Sequence, residues 1–159
     1  GAPRQSAVGP WNRLSLIFLA AVYLQCLLGA LVAGNDAGMV YNDWPLFNGA
    51  WWPRDYFGAT PWATIAHSHG AVQAHHRVLA YLVFAAGIAI GAVGWRSRIV
   101  DHDTRMISAF VAGAVTLQAV LGVATLMAAV PVWLGALHQA GGAGLLALAT
   151  ALAWRVRRI

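Results

Sequence analysis

Uncharged, largely apolar runs cover residues 14–34, 78–95, 106–130 and 132–154, with polar or charged segments between them. A helix needs about 20 such residues to cross a bilayer, and in lipid each backbone N–H and C=O must bond within its own segment. The second run is short by that measure, so its helix is expected to begin earlier, giving spans near 14–34, 68–95, 106–130 and 132–154. The pattern predicts an all-α integral membrane protein, a single domain over 1–159 built as a four-transmembrane-helix bundle. The connections differ in character. Residues 35–66, rich in aromatics, Pro and Gly, form a long loop between helices 1 and 2. The segment 96–105 is short and charged, and the third and fourth helices meet at Pro131. No strand alternation and no repeat of solenoid period is evident.

Composition strengthens the membrane reading. Of 159 residues, 60% are hydrophobic and 9% charged, where soluble domains carry roughly 25% charge. All ten basic residues are Arg and all five acidic ones Asp, with no Lys and no Glu. So few charges exclude an ordinary cytosolic enzyme, and no solvated basic face exists to hold nucleic acid. The net charge of +5 reads as topology. Arg4 and Arg13, then Arg96, Arg98 and Arg105, then Arg155, Arg157 and Arg158 fall on one side of a four-span chain. Only Arg54 and Arg77 fall on the other. The positive-inside rule then places both termini in the cytoplasm and the long loop outside, in a membrane of the bacterial inner (cytoplasmic) type. Trp11, Trp95, Trp133 and Trp154 mark the predicted helix ends, where interfacial aromatics collect. Cys26 has no partner for an internal disulfide and reads as a small core residue. A first residue of Gly rather than Met suggests a chain processed or cut from a longer one.

Histidine carries the candidate chemistry. His102 lies in the charged connection and reads as solvated. His138 lies inside the fourth helix, where a polar side chain is either an interhelical hydrogen-bond donor or a functional group. Depth links it to His76. His76 stands 19 residues before Trp95 and His138 stands 16 before Trp154, which is roughly 28 and 24 Å from the same end of the bundle. Two imidazoles at one level on helices of the same direction suit the axial positions of a heme iron, with apolar walls for the porphyrin. Gly135 and Gly142 share a face with His138 and could admit a flat macrocycle, or serve close helix packing. Arg77 could pair with a heme propionate or snorkel to headgroups. His67, His69 and His75 lie near the outer surface, as interface residues or parts of a proton path.

Several motifs follow in order: Gly29-Ala30-Leu31-Val32-Ala33-Gly34, Asp36-Ala37-Gly38, Asn42-Asp43-Trp44-Pro45-Leu46-Phe47-Asn48-Gly49, Gln73-Ala74-His75-His76-Arg77, Gln118 with Leu121-Gly122 and Thr125-Leu126, and Leu137-His138-Gln139. This succession resembles the C-terminal half of heme A synthase, a membrane enzyme family of cytochrome oxidase assembly, from about Leu14 to Arg158. Ala74 stands where that family usually has an aromatic residue, and the loop lacks the cysteines common there. The resemblance implies heme b (iron, bis-His) held by His76 and His138, with Arg77, Gly135 and Gly142 at the cofactor. It implies an oxidoreductase of heme A biosynthesis in which the heme O methyl group becomes the formyl group of heme A. The family places substrate, and a glutamate thought to act in catalysis, in an N-terminal half. A chain without Glu cannot supply that carboxylate, which would come from such a half; the partner considered beside it is a second copy of the chain. The alternatives are a standalone, half-sized bis-His b-type membrane cytochrome for electron transfer, and a structural subunit whose histidines only bond between helices.

Overall fold

The structure, a computed structural model, describes the backbone of residues 2–157 and the side chains of residues 9–157. Gly1, the Arg4 side chain and Arg158, all used above, lie outside the described residues. The chain runs through α1 (Ala2–Gly34), a 3₁₀ turn (Ala37–Met39), α2 (Pro61–Ala66), α3 (His69–Arg96), α4 (His102–Met127) and α5 (Val132–Val156). Among the described residues the fold is all-helical apart from a single bridge between Phe47 and Ala50. Four helices are long and apolar enough to cross a membrane: α1 from Gly9, α3, α4 and α5. Their outward faces carry large apolar side chains such as Leu14, Ile17, Leu82, Phe110 and Val120, all exposed. That is the surface a bilayer solvates, and it is why the apolar residues ring each helix instead of forming one stripe.

Three boundaries differ from the sequence reading, the first being that α1 begins at Ala2 and its apolar span at Gly9, not near 14. The connection expected as loop over 35–66 contains the 3₁₀ turn and α2, and the second span starts at His69. Local capping explains both starts. Thr60 Oγ1 accepts from Ala63 N with Pro61 at the first helical position, and Ser68 Oγ accepts from Ala71 N. At the other junction α4 stops at Met127 although apolar residues continue to 130. Ala129 and Val130 take φ of 57° and 56°, and their amides bond back to Leu126 O and Thr125 O. This left-handed closure ends the helix that hydropathy alone would extend.

α1 and α4 each pack against both α3 and α5, so α3 and α5 take opposite corners of the bundle. The half nearer the arginine-rich connections is solidly filled. Phe18 and Val22 of α1, Val83 and Ile90 of α3, Val111 and Val115 of α4, and Leu145, Ala149 and Leu152 of α5 form its core. α3 lies close on α4 because Gly87, Gly91 and Gly94 face it. A Cβ on Gly87 would sit 2.6 Å from Val115 Cγ1, and one on Gly94 2.5 Å from Ser108 Cβ. At the same end Arg155 donates to Asp101 at 2.9 Å and Asp103 at 2.8 Å, tying the end of α5 to the start of α4.

Candidate functional site

His76 and Arg77 are neighbours in sequence, but successive helix positions point about 100° apart. His76 faces α1. Arg77 faces the folded-back loop.

Residues 41–50 make that loop a small closed structure. Asn48 and Gly49 both have positive φ, 51° and 78°, and Phe47 and Ala50 exchange backbone hydrogen bonds of 2.7 and 3.1 Å across them. This is the hairpin turn that an Asn-Gly pair favours. The Asp43 carboxylate accepts from Asn48 N at 2.7 Å and Gly49 N at 2.9 Å. Its pKa is held below the ordinary value, chiefly by the Gly49 amide and also by Asn48 and Arg77, against the upward push of desolvation. Arg77 closes the arrangement from below. Nη1 donates to Leu46 O at 2.7 Å and Pro45 O at 3.4 Å, while Nη2 donates to Asp43 O at 2.9 Å, Tyr41 O at 3.4 Å and Gln73 Oε1 at 2.5 Å. Gln73, one turn earlier on the same face, donates to Ala37 O at 2.7 Å and Tyr41 O at 3.2 Å. The Arg77 terminal nitrogens are thus engaged by loop carbonyls.

On the bundle side the two histidines occupy matching surroundings. Gln25 of α1 donates from Nε2 to His76 O at 3.1 Å and lies 3.0 Å from His76 Nδ1. Gln118 of α4 donates from Nε2 to His138 O at 2.9 Å. One turn beyond each glutamine a glycine lies under the imidazole. A Cβ on Gly29 would come within 3.1 Å of His76 Cε1, and one on Gly122 within 3.0 Å of His138 Cε1. The two imidazoles sit on α3 and α5, at opposite corners of the bundle. Burial around them is uneven, with Gly70, Ala71, Val72, Gln73, Ala74 and Arg77 of α3 buried. No residue of α1 beyond Val22 and none of α5 before Leu145 is buried, in contrast to the filled half. His138 Nδ1, Gln25 Oε1 and Gln118 Oε1 are buried with no hydrogen-bond partner. No group of three or more His, Cys, Asp or Glu gathers among the described residues. Two imidazoles on diagonal helices are the donor set for a metal that brings its other ligands with it, and the orphaned polar atoms beside them fit such a group.

The remaining candidates separate. Gly142, with Gly141, makes room for the Gln118 side chain. Gly135 faces open space. His75 bonds to the Tyr56 hydroxyl at 2.8 Å, His67 and His69 are exposed, and His67 stacks edge-on with Trp62. None of the three meets the His76–His138 pair. His102 is exposed, as expected. Gln25, absent from the sequence-based site, is the residue missed. The signal was a short internal repeat: Leu24-Gln25-x-x-Leu28-Gly29 on α1 recurs as Leu117-Gln118-x-x-Leu121-Gly122 on α4.

Residues 1–150 match the COX15-CtaA family, described as cytochrome oxidase assembly protein. A heme A synthase of Caulobacter vibrioides is 56% identical over 158 residues, which are 99% of this chain and 46% of that protein. The heme A synthase of Methylobacterium sp. is 39% identical over 153 residues, covering 94% of this chain and 42% of the relative. Heme A synthase COX15 of Saccharomyces cerevisiae is 34% identical over 165 residues, covering 96% and 34% respectively. The chain thus spans less than half the length of these relatives. No solved structure matches it.

Proposed function

The chain belongs to the COX15-CtaA family of cytochrome oxidase assembly proteins, and from that membership we propose that it is the cofactor-holding half of a heme A synthase, taking heme b between His76 and His138. The observation that carries this reading is the matched pair of imidazoles. They stand on diagonal helices, each above a glycine and beside a glutamine. Bound there, heme b supplies one-electron transfer for the oxidation of the heme O methyl group to the formyl group of heme A.

The chain's own residues define the site. His76 and His138 offer neutral nitrogens to the iron. Gly29 and Gly122 let the rings sit close to the helix backbones. Arg77 and Gln73 hold the 41–50 loop across the end of the bundle, which limits water at that end. Arg77 serves the cofactor through this loop more than by pairing with a propionate, because its terminal nitrogens already meet carbonyls. Having no Glu, the chain depends on an N-terminal half for a catalytic carboxylate of that type, since a second copy of itself would lack it equally. The arginine distribution supports an inner-membrane orientation with both termini in the cytoplasm and the loop outside. The second reading, a half-sized b-type cytochrome, is favoured by one feature: the four helices already close a complete ring without further helices.

The test is the absorption spectrum of the purified chain in detergent after expression with heme supply. A low-spin spectrum is expected. It should be lost in His76→Ala and in His138→Ala while helicity by circular dichroism is retained. Persistence of the same spectrum in either variant rules out paired ligation. Extraction of the hemes made when the chain is expressed with an N-terminal half and heme O separates the two readings: heme A supports the synthase, and its absence supports the cytochrome.

A further inference from the structure

The glutamines have no part in ligation itself, yet each is placed against one ligand only. α1 and α4 sit at opposite corners, so Gln25 meets His76 alone and Gln118 meets His138 alone. Each glutamine is followed one turn later by the glycine under the same ring, so glutamine and glycine form a two-point contact: one point at the histidine carbonyl, one at ring Cε1. A helix carbonyl has a second lone pair free after its i+4 bond, and the glutamine amide takes it. That bond fixes the height and rotation of one helix against its neighbour at the residue that carries the imidazole. The glycine contact then limits how far the ring can tilt. Both amide oxygens, Gln25 Oε1 and Gln118 Oε1, are buried without a donor, and His138 Nδ1 is buried without a partner. Such atoms are costly in an apolar bundle unless a partner is supplied. At His138 a proton on the free Nδ1 supplies a donor on that side of the ring and leaves Nε2 as the bare nitrogen that a metal takes, whereas at His76 the Gln25 amide nitrogen lies 3.0 Å from Nδ1 and 3.3 Å from Nε2.

We propose that Gln25 with Gly29, and Gln118 with Gly122, are two positioning clamps that set the orientation of His76 and His138 as ligands for the heme iron. This rests on the bis-His reading above. The clamps touch the ligands and not the reacting atoms, so they are positioning residues. Both are built from one repeated hexapeptide and share the carbonyl bond and the glycine contact, but only Gln25 also reaches the ring nitrogens of its histidine.

The test uses the full chain in detergent, titrated with hemin and examined by low-temperature electron paramagnetic resonance of the ferric form. The variants Gln25→Met and Gln118→Met keep length and remove both polar atoms. Each should weaken hemin binding by about 10–100-fold and move the largest low-spin g value, which reports imbalance and relative rotation of the two imidazoles. Gly29→Ala and Gly122→Ala keep the glutamine and press a methyl group on Cε1 instead; they should move the same signal, and they decide the matter should the Met variants fail to fold. A lipid-facing control, Leu117→Ala, should leave it unchanged. Unaltered affinity and g values in the variants, with a low-spin signal in the unmodified chain, overturn the clamps and leave bis-His binding standing. Absence of any low-spin signal in the unmodified chain overturns bis-His binding itself.

Discussion

The guanidinium carbon of Arg77 lies 4.1 Å from the centroid of the Phe47 ring, beneath the turn that the Asn48-Gly49 pair makes. The same guanidinium donates to the carbonyl oxygens of Tyr41, Asp43, Pro45 and Leu46. One buried side chain from α3 therefore organises a ten-residue stretch that forms no helix and almost no strand.

Removing it should release that stretch. Arg77→Ala leaves several carbonyls without donors and one aromatic face uncovered. The expected loss is about 2–4 kcal/mol of stability, read as a lower thermal midpoint in detergent together with faster proteolysis within residues 41–58. Arg77→Lys should recover little of it, because a single ammonium cannot span carbonyls that a planar fork reaches. Proteolysis at the unmodified rate in Arg77→Ala would remove the guanidinium from this role.

Two glycines on adjacent helices should respond oppositely to the same change. Gly91 of α3 faces Ala112 and Ser108 O of α4 at close range, whereas nothing lies within 4 Å of a Cβ on Gly113. Gly91→Ala should cost about 1–3 kcal/mol by forcing α3 and α4 apart. Gly113→Ala should gain up to about 1 kcal/mol from helix propensity. Thermal unfolding of the two variants side by side checks the sign of each.

At the α4–α5 junction the strain is local. Ala129 has φ of 57°, a conformation glycine adopts more readily. Ala129→Gly should raise stability by up to about 1 kcal/mol, the extra freedom of the unfolded chain offsetting part of the gain. Val130 shares the conformation, but its Cγ2 packs against Gly38, so Val130→Gly should gain less. A higher midpoint for Val130→Gly than for Ala129→Gly would contradict this.

Acid should weaken both ends of the molecule. The Asp43 carboxyl titrates below its ordinary value of 3.8, held there first by the Gly49 amide. At Asp101 desolvation is the largest influence and pushes upward, but the hydrogen bonds from Thr104 and the Arg155 guanidinium together outweigh it, and the pKa is again lowered. A carboxyl whose folded pKa lies below its unfolded one contributes stability fully above the unfolded value, and loses it as pH falls through the folded value. The stability these two carboxylates contribute should therefore be constant from about pH 7 to 5 and be lost below about pH 4. Asp43→Asn and Asp101→Asn should each start from a lower plateau and show a shallower acid fall. An acid fall as steep in the double variant as in the unmodified chain would assign the effect to other groups.

Much of this molecule is visible in one dimension, because the bilayer imposes a simple rule. Charge scarcity, the uncharged runs and the tryptophans at their ends give the four spans, since an apolar environment obliges each run to be a helix. The ends of helices were less legible. They depend on a few side-chain caps and on left-handed residues such as Ala129 and Val130, which hydropathy does not register. Histidine depth could be counted along two helices, so His76 and His138 stood out together. The partners of those residues could not be counted in the same way. Arg77 was open to a ligand or a headgroup by sequence, and the loop carbonyls it meets lie more than thirty residues away. Gln25 is marked in the sequence only as part of a repeated hexapeptide, because its task is set by the residue opposite on α3.

By itself, then, the sequence determined the class of solvent, the number of spans, the pair of histidines and, through its motifs, the family. Only the tertiary structure decided which helices are diagonal, which glycine lies under which ring, and that Arg77 is spent on the loop. The division has a physical cause. Partition into lipid depends on the composition of each segment alone, whereas a hydrogen bond or a glycine contact is made between segments and exists only once the helices have chosen their neighbours.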